Sequence, residues 1–172
     1  MSKIKINYSV LKKTADNKGV MYCTANGENY LFNSFCIVKG LDDMQFAIAI
    51  EKTSACEVQV QNHLPVDYFN KCISDEMAKG VAYTYISKNS KQGSTIEFFK
   101  IQNKNRDIVL VDSKFLQIIK KEKLASIKGV DDKSPLCFEL SNGVKVLILP
   151  IVSTDSYIDK IKNFLKIIDS FY

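Results

Sequence analysis

Apolar and polar residues alternate with period two along much of the first third of this chain, the spacing of half-buried strands. Ile4, Ile6, Tyr8 and Val10 alternate with polar neighbours, and Asp16-Asn17-Lys18-Gly19 follows as a turn. Residues 20–23, 30–32 and 35–38 read as short strands, separated by Ala25-Asn26-Gly27-Glu28 and Asn33-Ser34. The run 44–50, MQFAIAI, reads as a strand covered on both faces, and 56–61 as a strand with Val58 and Val60 on one face. Short strands between frequent turns predict an antiparallel meander.

The period lengthens to that of a helix in three places. Over 65–79, Val66, Phe69, Ile73 and Met77 form one stripe. Pro65 suits the first turn there, Asp67 the N-terminal dipole and Gly80 a C-terminal stop. Strands are predicted at 81–86, 95–101 and 108–111, with polar connectors rich in Lys, Asn and Ser. A shorter helix takes Asp112 or Ser113 as N-cap, turns Phe115, Leu116 and Ile119 inward and ends in Lys120, Lys121 and Lys123. After Ser153-Thr154-Asp155, a terminal helix carries Tyr157, Ile158, Ile161, Phe164, Leu165, Ile168 and Phe171 on one broad stripe. Lys160, Lys162 and Lys166 fall mostly on its other side.

Between the last two helices lies SPLCFELSNGVKVLILPI, residues 134–151. Asn142-Gly143 between apolar runs predicts a hairpin with a two-residue turn, both central residues at positive φ. That register sets Leu140 opposite Lys145, Phe138 opposite Leu147 and Leu136 opposite Leu149. The other face then holds Cys137, Glu139, Val144, Val146 and Ile148. The whole pattern predicts an α+β fold: a mostly antiparallel meander with about three helices, the last C-terminal and amphipathic. At 172 residues one domain is expected, with a β-rich N-terminal region over 1–61 and a mixed region over 62–172. No internal repeat of fixed period is visible.

Hydrophobic residues make up 46% and charged residues 25%, enough apolar surface for a sizeable core. No apolar run approaches the roughly 20 residues of a membrane span, and the first residues do not read as a signal peptide. An intracellular protein is expected, with no membrane partner. The five cysteines are odd in number and spaced without a CxxC, and Cys36, Cys72 and Cys137 have apolar neighbours, so buried free thiols are expected.

Charge is divided unevenly. Residues 1–86 hold nine Lys and nine acids, whereas 87–172 hold fourteen Lys and one Arg against ten acids, so the whole net +5 lies there. The window 87–128 alone has ten basic residues against four acids. Such a half attracts polyanions. With one arginine in the chain, Arg106, bidentate reading of bases is disfavoured, so contact with nucleic acid would be non-sequence-specific.

Candidate catalytic chemistry is thin. His63 is the only histidine; a Cys–His pair with Cys56 or Cys72 has no local support. Asp42-Asp43 and Asp131-Asp132 read as turn acids lacking the further oxygen ligands of a metal site. No GxGxxG, GxxxxGK[ST] or HExxH is present. Neither a catalytic residue nor a metal or cofactor is expected. The protein is expected to act by binding.

Residues 57–151 carry a resemblance to a bacterial DNA sliding-clamp domain. A strand leads into a helix with an aromatic-Leu start, Phe115-Leu116; Ser134-Pro135 precedes the last two strands; and the last strand ends Leu149-Pro150-Ile151. Upstream, 57–86 reads strand–helix–strand. The resemblance implies a protein that tethers others to DNA without base contacts. It implies phosphate-facing lysines on the helices, Lys71, Lys114, Lys120 and Lys121, to which the basic window adds Lys123. It also implies a partner-peptide groove around Leu147 and Pro150. The end of the chain, FELSNGVKVLILP then SYIDKIKNFLKII, resembles instead a pleckstrin-homology-like barrel closed by a helix. There Ile161, Phe164 and Leu165 would offer a protein- or lipid-recognition surface. Expected partners are therefore a protein and, through the basic half, nucleic acid.

Overall fold

Capping residues set the first two helices of this chain. The computed structural model describes residues 6–59, 78–86, 95–119, 124–152, 159, 161–163 and 166. Helix α1 (Tyr8–Lys13) begins where the Asn7 side chain accepts the Val10 N–H at 3.3 Å, and it buries Leu11 completely. The alternation at 6–10 predicts a strand, but the Asn7 cap turns the same residues into a helix, with Ile6 and Leu11 in the core. Helix α2 (Asp43–Thr53) replaces the strand expected at 44–50 for a similar reason. Asp42 accepts the Gln45 N–H at 2.8 Å while the Gln45 side chain accepts the Asp42 N–H at 3.4 Å, a capping box. Phe46, Ala49 and Thr53 then share the buried face at i, i+3 and i+7.

Between and after these helices the described residues form ten strands: β1 (Met21–Ala25), β2 (Glu28–Phe32), β3 (Cys36–Lys39), β4 (Cys56–Glu57), β5 (Ala78–Ile86), β6 (Thr95–Ile101), β7 (Ile108–Asp112), β8 (Leu124–Gly129), β9 (Leu136–Leu140) and β10 (Lys145–Ile148). A short helix α3 (Ser113–Leu116) follows β7, its first turn capped by Asp112, whose side chain accepts the Lys114 N–H at 3.0 Å. Phe115, Leu116 and Ile119 are buried, as their spacing predicts. The strand order is β4-β1-β2-β3-β10-β9-β8-β5-β6-β7, and every pairing is antiparallel except β1 with β4. The fold is therefore α+β on a mostly antiparallel sheet. The helix expected over 65–79 lies outside the described residues up to 77. Its last two positions, Ala78 and Lys79, pair with Gly129 and Lys128 of β8, so they and Gly80 belong to β5.

The β9–β10 hairpin forms, but one residue out of the predicted register. Val146 faces Phe138 and Ile148 faces Leu136, across a three-residue loop, Ser141–Asn142–Gly143. Gly143 donates to the Leu140 carbonyl at 2.9 Å and alone takes a left-handed φ, 86°. This is a turn followed by a left-handed residue, not the two-residue form. The shift exchanges the faces of β10. Leu136, Phe138, Leu140, Val144, Val146 and Ile148 now all enter the main core, while Lys145 sits opposite Glu139 on the other face. Packing decides the register, since the two-residue form would put Lys145 on the core face. The two-residue form occurs at Asn26-Gly27 instead, with φ of 52° and 76° and Ala25 paired to Glu28.

A repetition that no sequence period announces is also present. α1 leads into the meander β1-β2-β3, and α3 leads into the meander β8-β9-β10. The last strands of the two units, β3 and β10, pair antiparallel from Lys39–Lys145 to Cys36–Ile148. The order β1-β2-β3-β10-β9-β8 thus reads the same from either end, an approximate two-fold in connectivity. The units meet where the Asn7 N–H donates to the Ile118 carbonyl at 2.9 Å and Phe35 stacks on Phe115 at 5.1 Å. Cys23 and Cys36 are buried free thiols, with burial pushing Cys36 up to about 12; Cys137 is buried, Cys56 is exposed and Cys72 lies outside the described residues.

Candidate anion-binding cleft

The strands β6 and β7 present two apolar faces. Phe99, Ile101, Val109 and Val111 enter the main core, where Phe99 meets Phe138 edge-on at 5.5 Å. Phe98, Ile108 and Leu110 point the other way and form a separate cluster with Ile161. Ile161 is 1% exposed, so the helical residues at 159, 161–163 and 166 lie against the outer face of this hairpin. Ile151 packs against the outer cluster, and its N–H donates to the Leu110 carbonyl at 2.7 Å after Leu149 has donated to the Phe35 carbonyl at 2.9 Å.

Lys100 follows Phe98 on the outer face by the two-residue alternation of a strand, opposite Ile108. Beyond it the chain turns through Gln102 to Asp107, and Asn103 fixes that turn. Its side-chain carbonyl accepts the Asp107 N–H at 3.1 Å, and its amide donates to the Asp107 carboxylate at 2.8 Å and to the Val130 carbonyl at 3.1 Å. Arg106 donates its N–H to the Asn103 carbonyl at 3.2 Å and takes φ 53°. An L-residue is held left-handed there at a cost of about 1–2 kcal/mol.

These elements enclose a cleft of about 440 Å³ between the β6–β7 tip and the terminal helical residues. Its described lining is Lys100, Asn105, Arg106 and Ile108 on the sheet side, with Asp159, Lys162, Asn163 and Lys166 on the helix side. Ile108 is a buried floor; Arg106, Lys162 and Lys166 are exposed to solvent and Lys100 is half-buried. The described lining holds four cations, one carboxylate and two amides that add neutral donors and acceptors. Like charges concentrated in a concave site raise the local potential and attract anions.

Of the lysines expected to face phosphates, Lys114 alone lies among the described residues. It is exposed, 3.5 Å from Asp112 and over the Phe115 ring, and it does not line the cleft. Lys71, Lys120, Lys121 and Lys123 lie outside the described residues, as do Phe164 and Leu165. Leu147 is 2% exposed and packs against Cys23, Tyr30, Phe32 and Ile37, so the exchange of faces in β10 takes it out of any open groove. Pro150 is half-buried. Ile161 is a packing residue of the helix, not a surface it offers. The basic window 87–128 does contain Lys100 and Arg106, but the pairing of that loop with Lys162 and Lys166 is a contact between distant segments. The one signal for it in the sequence is the i, i+4 spacing of Lys162 and Lys166 opposite the apolar stripe.

Among the described residues no group of three His, Cys, Asp or Glu side chains comes together, and no helix is long and apolar enough to cross a membrane. The chain matches no family model, no curated protein and no solved structure.

Proposed function

We propose that this protein acts by binding and not by catalysis, as a nucleic-acid-associated adaptor that holds the phosphate backbone without reading bases. The observation that carries the reading is the cleft whose described lining brings Lys100, Arg106, Lys162 and Lys166 together with one carboxylate, Asp159. Phosphate contacts position a protein on nucleic acid and carry no sequence information directly, which suits a lysine-rich site with one arginine. The sliding-clamp resemblance of residues 57–151 points to the same class, a tether indifferent to sequence. The partner-peptide groove it implies around Leu147 is closed by packing and has no role in this reading. The pleckstrin-homology-like alternative is less favoured, because Ile161 packs on the outer face of β6–β7 and not in the main core.

The test is a gel-shift titration with random-sequence nucleic acid at rising salt. Binding should be measurable at low salt and weaken linearly in log–log form as salt rises. Lys162→Glu/Lys166→Glu should remove most of it, since both side chains are exposed and the fold does not depend on their charge. No shift at low salt, or a shift indifferent to the double variant, would reject the assignment.

A further inference from the structure

We infer that the cleft takes a single strand of nucleic acid, gripped by phosphate and sugar, and excludes the paired duplex. This rests on the polyanion reading above and narrows it. The cations lie on two facing walls: Lys100 and Arg106 on the β6–β7 side, Lys162 and Lys166 on the helix side. A duplex offers a convex surface that meets one wall at a time. A single strand enters between the walls and is neutralised from both. The volume, about 440 Å³, falls in the range of sites that enclose a small ligand; it suits a short stretch of one strand.

The helix wall has a repeat that fits a strand running along it. Lys162 and Lys166 are both helical and four residues apart, the spacing at which helical side chains share a face, and both line the cleft. Successive phosphates of one strand can meet such a pair in turn. The described lining residues are charged, amide or aliphatic, so the grip they offer is on phosphate and sugar. Asn105 and Asn163 supply amides that donate and accept equally well, and they suit sugar oxygens or any base edge. The predicted specificity is for strandedness, not sequence.

Fluorescence anisotropy on the full chain separates the outcomes. The probes are labelled oligo-dT, oligo-U and a mixed-sequence single strand, each beside a duplex of equal length, with tripolyphosphate as competitor. Single strands should bind at least about tenfold more tightly than the duplex, with little difference between oligo-dT and the mixed-sequence strand. Phosphate contacts from Arg106, Lys162 and Lys166 should give a log–log salt slope of about −2 for single strands, and Arg106→Ala should lower its magnitude by about 0.7. Lys13→Ala, on the exposed side of α1 and away from the cleft, should change neither. A better grip on oligo-U than on oligo-dT would place the amides on the ribose hydroxyl and support the inference. Duplex bound as tightly as single strand would overturn it while leaving the polyanion reading intact. Displacement of the strand by tripolyphosphate at equal phosphate concentration would overturn it too, in favour of a compact anion. Failure of every probe to bind would reject the polyanion reading itself.

Discussion

At the tip of the β9–β10 hairpin the left-handed residue is Gly143, φ 86°; at the tip of β6–β7 it is Arg106, φ 53°. Each tip is closed by that residue's N–H donating back three positions, Gly143 to Leu140 at 2.9 Å and Arg106 to Asn103 at 3.2 Å. One backbone plan is thus filled in two ways. Glycine takes the left-handed region without a steric cost, so Gly143 is the residue that the backbone asks for. Arginine bears that cost, and its compensation is not local. Strained residues persist where the surroundings hold them, and they cluster at functional sites. Here Asn103 does the holding, and the side chain held lines the only described cleft wall that carries a guanidinium.

The largest effect is expected where the two hairpins share a footing. A methyl group built on Gly129 of β8 would lie 2.8 Å from Ile101 Cδ1 and 2.8 Å from Leu136 Cδ2. One belongs to the β6–β7 hairpin and the other to β9–β10. Both side chains are fully buried, so neither can swing into solvent. Gly129→Ala should destabilise by about 1–3 kcal/mol through overpacking. A denaturant midpoint that falls at unchanged slope would show it; a loss under about 0.5 kcal/mol would mean that the two δ-methyls have room to move. Because the clash touches both hairpins, stability should fall without any preference for one tip.

Gly143→Ala comes next. Nothing lies within 4 Å of the added methyl, so the substitution isolates the backbone. It should cost about 1 kcal/mol, the penalty of a left-handed L-residue. Affinity for nucleic acid should not change, since Gly143 is not among the lining residues of the cleft. A loss near zero would remove the contrast between the tips, because it would show the left-handed position to be cheap for any side chain.

How much of this was legible in the sequence depends on whether a local pattern or a distant contact decides. Strand β6 at 95–101 and the burial of Phe115, Leu116 and Ile119 follow from spacing alone, and the structure has them there. The period-two reading fails at 8–13 and 43–53, where a short cap, Asn7 or Asp42 with Gln45, outweighs an ambiguous apolar run. Asn142-Gly143 announces a hairpin correctly and its register wrongly, because the choice between loops of two and three residues is made by which face of β10 the core accepts. The cleft was half visible. The basic window contains Lys100 and Arg106, but nothing near them in sequence reports that Ile161 fastens Lys162 and Lys166 opposite.

The smallest effect on stability tests the comparison most directly. If Arg106 is kept for its side chain against the preference of its backbone, Arg106→Gly should stabilise the protein by about 0.5–1 kcal/mol, the strain relieved less the extra freedom of the unfolded chain. The same variant should bind nucleic acid more weakly and with a shallower salt slope. Arg106→Lys separates the two contributions. It keeps the charge and the strain, so its stability should match that of the parent, and its binding should fall only as far as a point charge replaces a planar fork. Thermal or denaturant unfolding of the three proteins beside their salt titrations gives the answer. A glycine variant that is more stable and binds less would show stability surrendered for the cleft. If it proves less stable, Arg106 is held in place by contacts that outweigh its backbone strain, and the two tips differ in packing and not in purpose.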